Sequence, residues 1–243
     1  MVAYLLVGTV IVLAVLSSTR LTVLRVLSLS STGLFFVLIA AAWLSSDVGV
    51  SGLLGTVSGL SGYLVNLDRF VLPINDYHGF YLSWWFAWSI MIGQFVARFV
   101  NGMAAWKLLI AILIVPSIPI ALWFSVLFGY FSGGTPVSDS ITLLMIVVGI
   151  LFVVNSLDSL TRLYSQNLGL TVDALGRYRY ALTHAGLLVG LVVLYRFTPL
   201  KIEWIGMIVI GLYVAIYALV FVQRGQLADG ASKTSTPPGV KTP

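Results

Sequence analysis

From Lys107 to Asp139 the chain carries no charged side chain, and the stretch from Arg25 to Asp47 is equally bare. Runs of this kind constrain the fold more than any other feature. About 20 apolar residues are what a helix needs to cross the hydrocarbon of a bilayer. Seven candidate crossings follow, at about 3–18, 33–55, 79–100, 105–128, 140–159, 180–197 and 203–223. Only 9% of the residues are charged and 59% are hydrophobic, where a soluble domain carries roughly 25% charged residues. The reading is an all-α integral membrane protein with no soluble domain.

The remaining composition narrows function and sets orientation. No cysteine is present, which excludes disulfides, thiolate chemistry and sulfur-ligated metals. A net charge of +5 would suggest nucleic acid in a soluble protein. Here the basic residues sit in a few loops, so they report topology and no nucleic-acid partner is expected. Threading seven crossings collects Arg20, Arg25, Arg98, Lys107, Arg162, Arg177, Arg179, Arg224, Lys233 and Lys241 on one side, and Arg69, Arg196 and Lys201 on the other. The excess of positive charge places the N-terminus outside and the C-terminus in the cytoplasm of a multi-pass plasma-membrane protein. The first apolar stretch has no basic residue before it and no cleavage site, so it is read as a crossing rather than a signal peptide.

Between the second and third crossings, Leu60, Tyr63, Leu64, Leu67, Phe70 and Val71 recur at helical spacing, with Ser61, Asn66, Asp68 and Arg69 facing away. An amphipathic helix over about 59–71, lying on the outer surface and ended by Pro73, is expected. A plain loop is the alternative. The tail 224–243, made largely of Gly, Ser, Thr, Pro and Lys, is expected to be disordered.

Few side chains can carry chemistry. Trp84, Trp85 and Trp88 fall within an apolar stretch at spacings that put Trp84 and Trp88 on one helix face, with Trp85 beside them. Such a cluster is either packing bulk or an aromatic wall able to receive a cation on its π-faces. Pro116 and Pro119 interrupt the fourth crossing, each removing a helical hydrogen bond. Asn155, Ser156, Asp158 and Ser159 end the fifth crossing with oxygen-bearing side chains, suited to a hard cation such as sodium or to simple capping. Asp158 is an acid at a membrane span, which is expensive and usually partnered, and Arg162 four residues on is its natural partner. Arg98 snorkels to the headgroups at the end of the third crossing. His78 and His184 have no companion at metal-ligand spacing. No catalytic constellation stands out, so the chain is read as a non-enzyme without a metal centre.

The segment Phe80-Tyr81-Leu82-Ser83-Trp84-Trp85-Phe86-Ala87-Trp88-Ser89, continuing through Ile92-Gly93-Gln94-Phe95-Val96-Ala97-Arg98 to Gly102, resembles the tryptophan-box helix of the betaine/choline/carnitine transporter family. Leu113-Ile114-Val115-Pro116-Ser117 with Leu122-Trp123-Phe124-Ser125-Val126 is similar to that family's next helix, and Asn155-Ser156-Leu157-Asp158-Ser159 to its Thr-Ser-Ala-Asp-Ser segment. The resemblance implies a LeuT-like fold, of which this chain would supply the last two helices of the first repeat and the whole second repeat. It implies substrate-lining roles for Trp84, Trp85 and Trp88. A sodium-site role falls on Phe152 (through its backbone), Asn155 and Ser156. The surface helix stands where one helps the family form trimers. In inverted-repeat transporters the site lies between repeats, so the resemblance implies a truncated carrier subunit for quaternary-ammonium compatible solutes that needs a complementary chain. The alternative is a non-transporting accessory subunit of a larger membrane complex. Two departures favour that alternative: Ile90 stands where the family has proline, and Asn155 where it has threonine.

Overall fold

A computed structural model describes residues 2–46, 48–59, 61–70, 75–100 and 102–234; at 2, 63–64, 70, 95, 98–99 and 224–234 the description is of the backbone alone. Pro73, Asn101, the Arg98 side chain and the tail 235–243 lie outside the described residues. Among the described residues the regular structure is helical throughout: α1 (Val2–Ser18), α2 (Leu21–Leu44), α3 (Val50–Gly59), α4 (Ser61–Val65), a 3-10 turn at Leu67–Phe70, α5 (Asp76–Phe99), α6 (Ala105–Gly133), α7 (Asp139–Asn167), α8 (Val172–Leu175), α9 (Arg177–Phe197) and α10 (Ile202–Thr234). Five of these are long and apolar enough to cross a membrane: α2, α6, α7, α9 and residues Ile202–Gln223 of α10. This is the pattern of a membrane protein. At 17 residues, α1 stands at the lower limit of what crosses a bilayer. Helix α5 is long enough at 24 residues, but Asp76, His78, Ser83, Ser89 and Gln94 dilute its apolar character.

Several boundaries differ from the sequence expectation. The second crossing was expected at 33–55, whereas α2 occupies Leu21–Leu44 and α3 is separate. The early start is possible because the Ser/Thr-rich turn satisfies itself: the Ser31 and Thr32 hydroxyls donate to the Ser28 carbonyl at 3.1 and 2.9 Å. The early end follows from local bonding. The Ser46 hydroxyl donates to the Trp43 carbonyl at 2.7 Å, and the Trp43 indole N–H to the Val48 carbonyl at 3.0 Å. Both fold the chain back on the end of α2 and satisfy groups there that the helix leaves open. In place of one surface helix over 59–71 there is the five-residue α4 and the 3-10 turn. At the end of α4 the Asn66 side-chain amide donates to the Gly62 carbonyl at 2.7 Å. Helix α10 continues to Thr234, so the first part of the expected tail is helical.

Pro116 and Pro119 both lie inside α6, which runs on past them. The Ser117 hydroxyl donates to the Leu113 carbonyl, serving a backbone group beside those that proline leaves free. The helix ends at Gly134, whose φ of 63° is left-handed and suits a residue without Cβ.

The chain divides into two compact units, Met1–Leu72 with Gly93–Pro199, and Pro73–Ile92 with Leu200–Pro243. In the first, α7 is the central helix: α1 and α2 pack along it, α1 also meets α9, and α6 packs on α2 and α3. One core cluster joins Leu38, Ile39 and Ala42 of α2 to Val126 and Tyr130 of α6 and to Ile141 and Val148 of α7. The Tyr130 hydroxyl donates to the Ala42 carbonyl at 2.7 Å. A second cluster joins Ile11 and Val15 of α1 to Tyr180 and Leu188 of α9. A third sets Val10 and Ala14 against Val154. The second unit comprises the N-terminal part of α5 and α10. A Cβ on Gly206 would stand 2.6 Å from the Ser83 Cα, so the two backbones approach where only glycine fits.

Candidate functional site

The indole cluster belongs to the second unit. One helical turn separates Trp84 from Trp88, and their ring centroids are 5.8 Å apart; Trp84 and Trp85 meet edge-on at 5.2 Å. One turn earlier, Tyr77 and Tyr81 pair at 4.6 Å. The three indoles thus form a strip along α5, with a tyrosine pair one turn before it. Trp84 and Trp88 are part-buried, while Trp85 is 58% exposed. The strip is braced by α10, since the Ser89 and Tyr213 hydroxyls share a hydrogen bond at 2.9 Å. Aromatic faces arrayed in this way present electron density to a cation lacking hydrogen-bond donors.

The polar run of α7 belongs to the first unit. The Phe152 ring packs edge-on against Phe35 at 5.7 Å and is 37% exposed. The Ser28 hydroxyl donates to Asn155 Oδ1 at 2.9 Å, tying α2 to α7. Ser156 is part-buried one residue on. Asp158 is fully buried, and Arg162 Nε donates to its Oδ1 at 2.8 Å. The same guanidinium turns its Nη2 to the carbonyls of Ser17 and Arg20 at 2.9 and 2.7 Å. The Ser17 carbonyl lies in the last turn of α1, where a cation is favoured by the helix dipole, and Arg20 is the residue before α2. The Ser17 hydroxyl donates to the Ala14 carbonyl at 2.9 Å, and Asp158 Oδ2 has no well-formed hydrogen bond.

Next to this pair is a polar cluster that spacing alone does not reveal. His184 is fully buried. Its Nε2 lies 3.0 Å from the Leu170 carbonyl and its Nδ1 2.8 Å from the Tyr164 hydroxyl. A carbonyl only accepts, so Nε2 carries the proton, and in the neutral ring Nδ1 accepts from Tyr164. The Tyr180 ring meets the imidazole edge-on at 4.2 Å, and the Tyr180 hydroxyl shares a 3.0 Å hydrogen bond with Ser18. The available signal was Tyr180 four residues before His184, an aromatic–histidine pair on one helix face. His78 is part-buried near the start of α5. Among the described residues no group of three or more His, Cys, Asp or Glu side chains is arranged to hold a metal.

Comparison with known proteins gives partial matches to transporters. The chain is 28% identical to a glycine betaine/proline/choline transporter of Vibrio parahaemolyticus over 44% of its own length and 19% of the relative's. It is 42% identical to a glycine betaine transporter of Bacillus subtilis over 22% of its length and 10% of the relative's. An uncharacterized transporter of Mycobacterium tuberculosis is 32% identical over 29% of this chain and 13% of that protein. The matches therefore span less than a fifth of the curated relatives. No family model and no solved structure matches. The similarity is to betaine and choline transporters, at low identity and over about a third of the chain.

Proposed function

We propose that the chain is part of a secondary transporter for quaternary-ammonium compatible solutes. The observation that carries the reading is the strip of Trp84, Trp85 and Trp88 in a chain partly similar to glycine betaine transporters. A trimethylammonium group offers no N–H, is poorly served by carboxylates, and gains about 0.5–1 kcal/mol per exposed aromatic face and about 2 when desolvated. In this reading the three indoles form one wall of the solute site. The opposite wall comes from helices outside this sequence, in a LeuT-like arrangement with seven crossings in this chain and the N-terminus outside. The backbone carbonyl of Phe152 with the Asn155 and Ser156 side chains holds the coupling sodium ion. The 59–71 segment mediates a homotrimer.

Reconstitution into liposomes tests this. With the complementary helices supplied, uptake of radiolabelled betaine driven by a sodium gradient is expected. Trp85→Ala raises the half-saturating concentration about five- to thirtyfold, the equivalent of one partly to fully desolvated cation–π contact. Absence of uptake in every combination rejects the reading.

One observation favours a second reading, a non-transporting accessory subunit. Asn155 Oδ1 is already engaged by Ser28 across the α2–α7 contact, which is what a structural residue does. This reading expects Asn155→Thr to lower stability and leave any uptake unchanged, and unrelated membrane subunits to copurify in mild detergent.

A further inference from the structure

In the first unit α1, α7 and α9 enclose a lateral groove of about 900 Å³. Val7, Gly149, Val153, Leu191 and Val192 form its walls, and Val10, Ile11 and Leu188 its buried floor. Ser18 meets Tyr180 while Ile11 clusters with Leu188, so α1 and α9 run antiparallel and Tyr4 stands at the same end as Tyr195 and Arg196. That end is the groove's amphipathic end. Arg196 supplies the charge in a lining that is otherwise apolar or aromatic, and it is exposed, with its guanidinium 5.9 Å from the Phe197 ring.

The dimensions decide what fits. From Leu188 to Arg196 the groove follows α9 for about 12 Å, at about 1.5 Å per residue. It is then closed by the contact of Ile11 and Val15 with Tyr180 and Leu188. That is close to half of a hydrocarbon core about 30 Å thick. A crossing helix needs the whole thickness. An acyl chain needs one leaflet, and its headgroup needs a partner at the rim. Arginine matches a phosphate in shape and charge.

We propose that this groove binds an anionic phospholipid, with an acyl chain lying over Gly149 and Val153 down to Ile11 and Leu188, and the phosphate on Arg196. The inference does not rest on the carrier reading, and its readout is lipid retention rather than transport. The full chain, purified in mild detergent, is titrated with phosphatidylglycerol and with phosphatidylcholine and followed by native mass spectrometry. One phosphatidylglycerol per chain is expected, held in preference to phosphatidylcholine. Arg196→Gln lowers phosphatidylglycerol affinity about fivefold, the effect of removing one basic residue near an anionic headgroup, and abolishes the preference. Gly149 has open space where a Cβ would stand and lines the groove, so Gly149→Phe places its ring in the groove and is expected to lose both lipids while helix content by circular dichroism is unchanged. Val192→Trp gives a second, independent block should Gly149→Phe lose helix. Equal retention of the two lipids by the native chain, or undiminished phosphatidylglycerol binding in a helical blocked variant, overturns the proposal. So does a photo-crosslinker at Val192 that captures a polypeptide in the lipid's place.

Discussion

At the residue scale, Arg162 is a two-ended clamp. One nitrogen neutralises the buried Asp158, and another ties down the Ser17 carbonyl in the last turn of α1 and the Arg20 carbonyl in the link to α2. Removing one member of a buried ion pair leaves the other charge uncompensated, which typically costs about 3–5 kcal/mol. Arg162→Met is therefore expected to destabilise by about that amount in detergent unfolding. The double variant Asp158→Leu with Arg162→Met is expected to recover a large part of it, because no charge is then stranded. Equal stability of the single and double variants would show that the ion pair is not what Arg162 contributes. His184 gives a milder case. His184→Phe keeps an aromatic ring against Tyr180 but leaves the Tyr164 hydroxyl without its 2.8 Å acceptor. Stranding a buried polar group costs about 1–3 kcal/mol, and the same melting experiment checks it. The four-residue spacing of Asp158 and Arg162 is readable in the sequence. The Ser17 and Arg20 carbonyls, and the Leu170 carbonyl that fixes the His184 tautomer, are not. They are backbone groups brought in by tertiary packing, and they carry no residue signature.

At the scale of elements, long uncharged runs marked the bodies of α6, α7, α9 and α10 well, because length and hydropathy alone decide whether a helix can cross. Ends were harder to read. Ser28, Ser31 and Thr32 look like a loop by composition, yet inside a helix the Ser31 and Thr32 hydroxyls return to the Ser28 carbonyl three and four residues back, and the Ser28 hydroxyl finds Asn155. Polar letters there do not break α2. Conversely, Trp43 and Ser46 look continuous with the apolar run, yet their side chains terminate it. The aromatic strip on α5 was legible from the spacing of Trp84, Trp85 and Trp88, whereas its brace on α10 was not. That brace depends on Gly206, where any side chain meets Ser83 backbone and Cβ at 2.6 Å. Gly206→Ala gains helix propensity but overpacks the contact, and overpacking costs about 1–3 kcal/mol. The expected outcome is a lower melting temperature and altered tryptophan emission. A neutral or stabilised Gly206→Ala variant would mean that the α5–α10 approach is looser than 2.6 Å implies.

At the scale of the whole molecule, the carrier reading depends on how many times the chain crosses the membrane. Five helices satisfy length and composition among the described residues, and the proposal needs α1 and α5 to cross as well. The absence of cysteine makes this directly measurable, since any single introduced thiol reports alone. Four positions test the long helices: Met103, Val137, Leu168 and Thr198 lie between or beside α5, α6, α7, α9 and α10. With the basic loops in the cytoplasm, Val137→Cys and Thr198→Cys react with a membrane-impermeant maleimide on intact cells. Met103→Cys and Leu168→Cys react only after permeabilisation. The decisive position is Val65, 82% exposed in α4, because among the described residues α5 is the one long helix between it and Met103. If α5 crosses, Val65→Cys labels from outside, opposite to Met103→Cys, and the indole strip lies within the bilayer, where a desolvated cation gains most from it. If Val65 and Met103 label from the same side, α5 lies along the membrane. Trp84, Trp85 and Trp88 would then be the interfacial aromatics common at bilayer boundaries, and the solute-binding wall would be lost with the crossing.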